Sequence, residues 1–127
     1  IVETDFLTVR PNMDLGEMVK IISKSFRNQF PVVDVGGELI GMVVLDDIRN
    51  IIFRQELYHR FHVEGFMKVP KTRIVNTDSM EEVMEKFDTT GAWNLPVVDR
   101  EGKYIGMVSK SKMLNTYRQV MVDFSEE

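Results

Sequence analysis

The sequence contains one 13-residue stretch twice, as PVVDVGGELIGMV at residues 31–43 and as PVVDREGKYIGMV at residues 96–108. The two copies lie 65 residues apart, and nine of the 13 positions are identical. Sliding residues 9–52 onto residues 74–117 at this offset needs no gap and gives 11 identities in 44 positions. Repetition over this length is typical of a structural unit used twice, because one such unit cannot bury its own hydrophobic face. The chain is therefore predicted to consist of two like halves that share a core.

The composition is that of an ordinary globular chain, with 43% hydrophobic and 28% charged residues. The net charge of -4 argues against non-specific binding of nucleic acid, which requires a basic face. The chain has no cysteine, which excludes a disulfide framework, a thiolate metal site and a thiol nucleophile. The longest apolar run, Leu39 to Leu45, has seven residues and is too short to cross a bilayer. Because the sequence begins at Ile1 without a methionine, we expect it to be a fragment.

Both halves predict the same order of elements, β-α-β-β-α. Asp14 with Glu17, and Ser79 with Glu82, have the spacing of a capping box, in which the two side chains satisfy free backbone N–H groups at a helix start. The other paired elements are short strands at residues 7–9 and 73–75, hairpins around 36–37 and 101–102, and closing helices at about 46–56 and 111–122. The pattern thus indicates the same small unit in each half.

The expected fold class is α+β, with two β-α-β-β-α units packed sheet to sheet and related by pseudo-twofold symmetry. Residues 1–64 are predicted to hold the first unit and a linker, and residues 65–127 the second unit. One unit alone buries too little apolar surface, so the two are expected to share a core. A further short helix is expected in the linker, around residues 59–67.

These residues resemble a tandem pair of cystathionine-β-synthase (CBS) domains, the Bateman module. The resemblance is carried by the strands Phe30 to Asp34 and Leu95 to Asp99, the glycine-containing turns, and the Ile-Gly-Met-Val segments that lead into a helix. It covers nearly the whole chain. The resemblance implies a regulatory module and not an enzyme, with clefts between the halves for an adenosine-containing ligand such as ATP, ADP or AMP. It also implies a homodimer.

Three segments look like the cytoplasmic CBS pair of bacterial ClC-type chloride channels and transporters, namely residues 45–49, 53–58 and 90–96. That resemblance implies a membrane-spanning channel domain ahead of Ile1 and a location at the cytoplasmic face of the cell membrane. CBS pairs are also attached to magnesium channels, dehydrogenases and kinases. The alternative is therefore the regulatory part of another transporter or of a soluble enzyme.

In nucleotide-binding members of the family, the glycine that ends the strand is followed by Ser or Thr after three residues and by Asp after six. The first half has Gly41, Val44 and Asp47, so it keeps the carboxylate and lacks the hydroxyl. The resemblance implies that Asp47 accepts hydrogen bonds from ribose hydroxyls. Alternatively, Asp46 caps the helix and Asp47 is a solvated surface residue.

The second half has Gly106, Ser109 and Lys112, so it keeps the hydroxyl and replaces the carboxylate by a cation. Ser109, Lys110 and Lys112 stand at a predicted helix start, where backbone N–H groups already favour anions. These residues are predicted to bind phosphate groups. The alternative is that both lysines are solvated surface residues. Because neither half carries the complete pair, a module without any ligand remains open.

Two further residues are candidates for the ligand site. Trp93, the only tryptophan, would stack on an adenine ring or pack at the seam between the halves. Asn94 would read a base edge or stabilise a turn. His59 and His62 lie in the linker without a third ligand at suitable spacing, so no metal site is predicted. Nothing in the sequence points to a catalytic residue.

Three functions follow from these features. The first is a ligand-sensing regulatory module, for which an adenine nucleotide is the expected ligand. The second is a ligand-free module that helps a membrane protein to dimerise and that transmits dimer contacts to the membrane domain. The third, an enzyme, has no support in the motifs.

Overall fold

The computed structural model describes residues 1–125 as a mixed α+β fold built from five helices, five strands and one 3-10 turn. Glu126 and Glu127, at the end of the second predicted half, lie outside the described residues. The elements are α1 Leu15–Ser23, β1 Gln29–Val33, β2 Leu39–Val44, α2 Leu45–Ile48, a 3-10 helix Gln55–Leu57, α3 Val63–Phe66, β3 Ile74–Val75, α4 Met80–Thr90, β4 Asn94–Val98, β5 Tyr104–Ser109 and α5 Lys110–Ser125. No helix within residues 1–125 is long and apolar enough to cross a membrane.

Two small sheets carry the repeat. β1 pairs antiparallel with β2 in one sheet, and β4 pairs antiparallel with β5 in the other. Each hairpin has an irregularity at the same place, between Val32 and Val33 and between Val97 and Val98. The short β3 runs parallel to β4 and completes a three-stranded sheet. The 65-residue spacing is thus visible in strand register as well as in sequence.

Local side-chain to backbone hydrogen bonds stabilise the helix starts and the hairpin turns. Asp14 and Ser79 each accept a hydrogen bond from the backbone N–H three residues on, and both capping boxes are complete. In the hairpins, Asp34 and Asp99 each accept two backbone hydrogen bonds across the turn with Oδ1. These predicted elements are confirmed, because their interactions lie within five residues of sequence.

Each half has its own hydrophobic core. One cluster of buried residues contains Val9, Met18, Phe30, Val32, Val43, Ile48 and Val63. Its counterpart contains Ile74, Val83, Phe87, Leu95, Val97, Val108 and Met113. A third cluster, of Phe6, Met42 and Met107, joins the two sheets, and Met42 and Met107 stand 65 residues apart. The halves are therefore two cores joined at a central apolar seam.

Reciprocal backbone hydrogen bonds express the pseudo-twofold relation between the halves. The N–H of Leu39 donates to the carbonyl of Gly102 at 3.0 Å, and the N–H of Tyr104 donates to the carbonyl of Gly37 at 2.9 Å. Each residue of the first bond lies 65 positions from its counterpart in the second. Donor and acceptor thus exchange halves, as a twofold rotation requires.

The segment that leads into each half crosses over to the other half. Glu3 exchanges two backbone hydrogen bonds with Met107, at 2.7 and 2.9 Å. Lys68, 65 positions after Glu3, exchanges two with Met42, at 2.7 and 2.8 Å. Each leading segment therefore lies along the last strand of the opposite half.

Three predicted elements differ in the structure. Residues 7–9 form no strand; only Val9 bridges to Val32, at the place where Ile74 of β3 pairs with Val97. The closing helix of the first half ends at Ile48 instead of near residue 56. The linker helix is limited to Val63–Phe66.

The early end of α2 has a tertiary cause. Beyond Ile48 the chain continues in tight turns, in which the N–H of Ile51 bonds to the carbonyl of Ile48 at 3.0 Å. Ile51 and Ile52 pack against the first core, and the hydroxyl of Tyr58 donates to the carbonyl of Ile52 at 2.6 Å. This packing outweighs the weak helical preference of adjacent β-branched residues.

Candidate functional site

A cleft of about 670 Å³ opens between the two halves. We call it the open cleft. It is bounded by strands of both hairpins, by the end of α4 and by the segment that leads into the second half. The lining residues are Gln29, Met42, Val44, Lys68, Val69, Pro70, Lys71, Thr72, Thr89, Thr90, Asn94, Leu95 and Pro96. None of these lining side chains is acidic.

The open cleft combines an apolar surface with donors and cations. Its strands contribute apolar side chains, while the leading segment contributes the ammonium groups of Lys68 and Lys71. The neighbouring hydroxyls and amides of Thr72, Thr90 and Asn94 add hydrogen-bonding groups. A concave site with this mixture suits a planar apolar ring that carries an anionic group.

Asp47 stands at the edge of the open cleft and already forms an ion pair there. Its Oδ2 lies 2.9 Å from Nζ of Lys68, which lines the cleft. Both side chains remain partly exposed. The carboxylate that was predicted to accept hydrogen bonds from ribose is therefore already paired with a residue of this chain.

Ser109 and Lys112 belong to the opposite cleft, which we call the closed cleft. The hydroxyl of Ser109 accepts a hydrogen bond from the N–H of Lys112 at 3.2 Å and so caps α5. The ammonium group of Lys112 forms an ion pair with Glu3. Asp47 and Ser109 therefore do not converge on one ligand.

Phe6 and Arg27 fill the closed cleft. Phe6 is only 6% exposed, and the guanidinium of Arg27 lies 4.3 Å from the centroid of its ring. Arg27 also bonds both carboxylate oxygens of Asp5, at 2.8 and 2.9 Å, and lies 3.1 Å from Glu3. The hydrogen bond from Arg27 lowers the pKa of Asp5, although slight burial opposes the shift. The four residues form a compact network over the seam.

Tyr104 lies beside this network with its hydroxyl buried. Its ring packs against the seam cluster, and no partner for the hydroxyl oxygen is present within residues 1–125. Burial, together with the charge of Asp5, raises the pKa of Tyr104 to about 12. The phenol therefore remains neutral and unpaired at ordinary pH.

Trp93 and Lys110 lie together outside both clefts. Trp93 is 74% exposed, so it does not pack at the seam between the halves. The Nζ of Lys110 lies 5.6 Å from the centroid of the indole ring, within the range of a cation–π contact. Asn94, the next residue, begins β4 and lines the open cleft instead of forming a turn. A ligand role for these residues stays a prediction.

The linker histidines do not gather metal ligands. Nδ1 of His59 lies 3.1 Å from Oδ2 of Asp14, and the backbone of His62 bridges to Asp14. No group of three or more His, Asp or Glu side chains in residues 1–125 could hold a metal ion. Asp14 is engaged as a helix cap, and the hydrogen bond from the N–H of Glu17 lowers its pKa.

Sequence reasoning missed the residues that decide which cleft is open. Lys68 and Lys71 lie in the segment that leads into the second half, and Phe6 and Arg27 lie outside the duplicated 13-residue stretch. The available signal was the 65-residue offset, which places Phe6 against Lys71 and Arg27 against Ala92. These unlike pairs predict that the two clefts differ.

Comparison with known proteins agrees with this architecture. The family model described as CBS domain matches residues 1–54 and residues 63–118. A CBS domain-containing protein of Dictyostelium discoideum is 25% identical over 131 residues, which cover 95% of this chain and 90% of that protein. Of the homoserine O-acetyltransferases and inosine-5'-monophosphate dehydrogenases that it also matches, the chain spans only 21 to 24%.

Solved structures share the fold. The chain is similar to the CBSX2 protein in complex with AMP, with a TM-score of 0.73 and 21% identity over 92% of this chain and 90% of that one. It is also similar to the cytosolic domain of the magnesium channel MgtE in complex with ATP, with a TM-score of 0.74 and 22% identity over 91% of this chain and 46% of that one. The predicted tandem pair and α+β fold are confirmed.

Proposed function

Since this chain belongs to the CBS domain family, we propose that it is a regulatory module that binds one adenine nucleotide in the open cleft. The observation that carries the proposal is the cleft itself, which places Lys68 and Lys71 beside apolar strands. An adenine base would lie against the apolar wall, and the phosphates would lie near the two ammonium groups. The AMP and ATP complexes of similar structures support this ligand class.

The open cleft is positioned to report binding to the rest of the chain. Lys68 to Thr72 belong to the segment that joins the halves, and β2 and β4 supply the opposite walls. A ligand that contacts all three would change the preferred orientation of the halves. Such coupling between two sites is typically about 1–3 kcal/mol, which is enough to bias an attached domain.

A ligand-free assembly module is the second candidate. Val44 supplies no hydroxyl at the position where nucleotide-binding members carry one, and Asp47 is already paired with Lys68. In this case the module would act through contacts between two copies. The exposed apolar residues of α5 would lie in that dimer, namely Tyr117, Val120, Met121, Val122 and Phe124.

The attached domain is a separate part of the proposal. The resemblance of residues 45–49 and 90–96 favours a ClC-like channel or transporter, with this module at the cytoplasmic face. The magnesium channel and the dehydrogenases among the similar proteins represent the alternatives. Fusing the module to a ClC-like membrane domain and measuring ion flux with and without ATP would test this choice. Flux that is indifferent to nucleotide in the fusion would argue against it.

Calorimetric titration tests the ligand. ATP, ADP, AMP and S-adenosylmethionine would be titrated into the chain, with and without Mg²⁺. We expect one adenine nucleotide to bind, and Lys71→Ala to weaken ATP binding about tenfold through loss of a charged contact. Lys103→Ala, in the second hairpin turn, where Lys103 pairs with Glu101, is the matched control and should leave affinity within about twofold. Absence of heat with every ligand, from a folded dimeric sample, would favour the assembly module.

A further inference from the structure

We infer that the closed cleft is occupied by the chain's own leading segment, with Phe6 as the internal occupant and Arg27 as its lid. The residues involved are Glu3, Asp5, Phe6, Arg27 and Lys112, and we call them the clamp. The clamp itself is independent of any ligand. Only its consequence for ligand stoichiometry rests on the proposed nucleotide binding.

The two clefts are built from corresponding residues, so they can be compared position by position. At the place of Phe6 the open cleft has Lys71, which is exposed and lines the cleft. At the place of Arg27 it has Ala92, whose methyl group cannot cover a neighbour. The pseudo-twofold relation therefore predicts a second cavity where the structure has a buried aromatic ring.

Arg27 holds this occupant by three kinds of contact. Its guanidinium covers the face of Phe6 at 4.3 Å, its Nη2 donates to both carboxylate oxygens of Asp5, and the same nitrogen lies 3.1 Å from Glu3. Charge-assisted hydrogen bonds are strong, and a cation–π contact requires the cation to lie over the ring face, so together these contacts hold the guanidinium over Phe6. Opening the cleft would break all three contacts at once.

The backbone ties the clamp to the opposite half. Glu3 pairs with Met107 on β5 by two backbone hydrogen bonds, and its carboxylate bonds Lys112 on α5. The leading segment is thus held from both sides of the closed cleft. A ligand that entered this cleft would have to displace the segment from Glu3 to Phe6 and thereby move the start of the described chain.

Two consequences follow from an internal occupant. The module binds one nucleotide per chain, at the open cleft, although it contains two like halves. Binding at the open cleft acts on the segment between the halves, whereas release of the clamp acts on the segment that leads into the first half. The two pseudo-equivalent clefts therefore control different parts of the chain.

Thiol labelling tests the clamp without any ligand, because the chain has no cysteine of its own. Ser109→Cys reports on the closed cleft and Thr90→Cys on the open cleft. We expect Arg27→Ala to increase the rate at which Cys at position 109 reacts with a bulky disulfide reagent by about tenfold or more, since local opening exposes the thiol. The rate at position 90 should stay within about twofold.

The control is Arg54→Ala, which removes an exposed arginine paired with Glu56 and should change neither rate. Phe6→Ala is a second unlocking variant, and Arg27→Ala keeps the test valid if Phe6→Ala does not fold. Equal rates at position 109 with and without Arg27 would overturn the clamp.

In calorimetry, Arg27→Ala is expected to raise the number of bound nucleotides from one towards two. If no variant binds a nucleotide, only the proposed function is wrong, because the labelling rates test the clamp without any ligand.

Discussion

Lys112 forms an ion pair with Glu3 that is the charge-reversed counterpart of the pair between Asp47 and Lys68. Glu3 and Lys68 are 65 positions apart, as are Asp47 and Lys112, so the two pairs occupy equivalent places with the signs exchanged. This relation explains why the second half departs from the family's carboxylate. A carboxylate at position 112 would face Glu3, and two like charges at that distance would repel.

Charge reversal in the ion pair between Asp47 and Lys68 tests whether the two side chains attract each other. Asp47→Lys and Lys68→Glu each place like charges together, so each should lower the free energy of unfolding by about 0.5 kcal/mol. The double variant restores an attractive pair and should recover most of the loss. Urea unfolding of the four proteins at low salt provides the measurement. Additive losses in the double variant would contradict direct pairing.

Val44→Thr should strengthen nucleotide binding at the open cleft. Val44 precedes α2, which has no side-chain cap, and a hydroxyl there would reach both backbone N–H groups and a bound phosphate. One added hydrogen bond of about 1 kcal/mol corresponds to roughly fivefold in affinity. Calorimetry with ATP measures the change.

Ser109→Ala is the reciprocal change in the closed cleft. It should lower the free energy of unfolding by about 1 kcal/mol, because Ser109 caps α5, and it should leave nucleotide affinity unaltered. Weaker nucleotide binding in Ser109→Ala would instead place the ligand in the closed cleft.

Alanine should be tolerated less well at Gly106 than at Gly41. A Cβ at Gly106 would lie 2.5 Å from the backbone carbonyl oxygen of Glu3, whereas one at Gly41 would meet the flexible end of Met67. We expect Gly106→Ala to cost about 1–3 kcal/mol and Gly41→Ala less, since a side chain moves more easily than a paired backbone. Thermal unfolding of the two variants compares them directly. An equal cost would contradict the close approach of Glu3 to β5.

Tyr104→Phe should be neutral or stabilising by up to about 1 kcal/mol. The hydroxyl is buried without a partner in the described residues, so its removal abolishes a desolvation penalty and breaks no hydrogen bond. Tyr58→Phe is the matched control, because that hydroxyl donates to the carbonyl of Ile52 at 2.6 Å, and its loss should cost about 1 kcal/mol. Urea unfolding compares the free energies of unfolding of the two variants. Destabilisation by Tyr104→Phe would contradict an unpaired hydroxyl.

Acid should weaken the second half through Asp78. Burial opposes ionisation of this carboxyl, but hydrogen bonds from Lys86 at 2.5 Å and from the N–H of Val75 at 3.0 Å lower its pKa below the ordinary 3.8. The stabilisation is therefore fully present above about pH 3.8 and is lost as the pH falls further.

Asp78→Asn is expected to cost about 1–2 kcal/mol at pH 7 and less at pH 3. Chemical unfolding across this range compares the variant with the parent chain. A loss that stays constant from pH 7 to pH 3 would show that the ionised carboxylate of Asp78 contributes nothing.

The sequence alone predicted the halves, the capping boxes and the hairpins. Asp14 with Glu17 and Asp34 with its turn act over two to four residues, so their geometry is encoded locally. The closing helix of the first half was predicted too long, because packing of Ile51 and Ile52 against the core outweighs local helical preference.

The tertiary structure decided which candidate site residues meet. Asp47 and Ser109 both belong to the predicted ligand site, yet they serve different clefts, because each leading segment crosses to the opposite half. That crossing brings Lys68 to Asp47 and Glu3 to Lys112, over separations of 21 and 109 residues. Local pattern carries no signal for contacts between such distant positions, and only packing of the two sheets creates them.

The duplicated stretch thus determined that there would be two clefts, since two equivalent units related by a twofold rotation create two equivalent seams. Only the packed structure decided that they would differ. Lys71 lines one seam, which stays open to solvent, while Phe6, covered by Arg27, fills the other. The physical reason is that transfer out of water is favourable in free energy for an aromatic ring and unfavourable for an ammonium group.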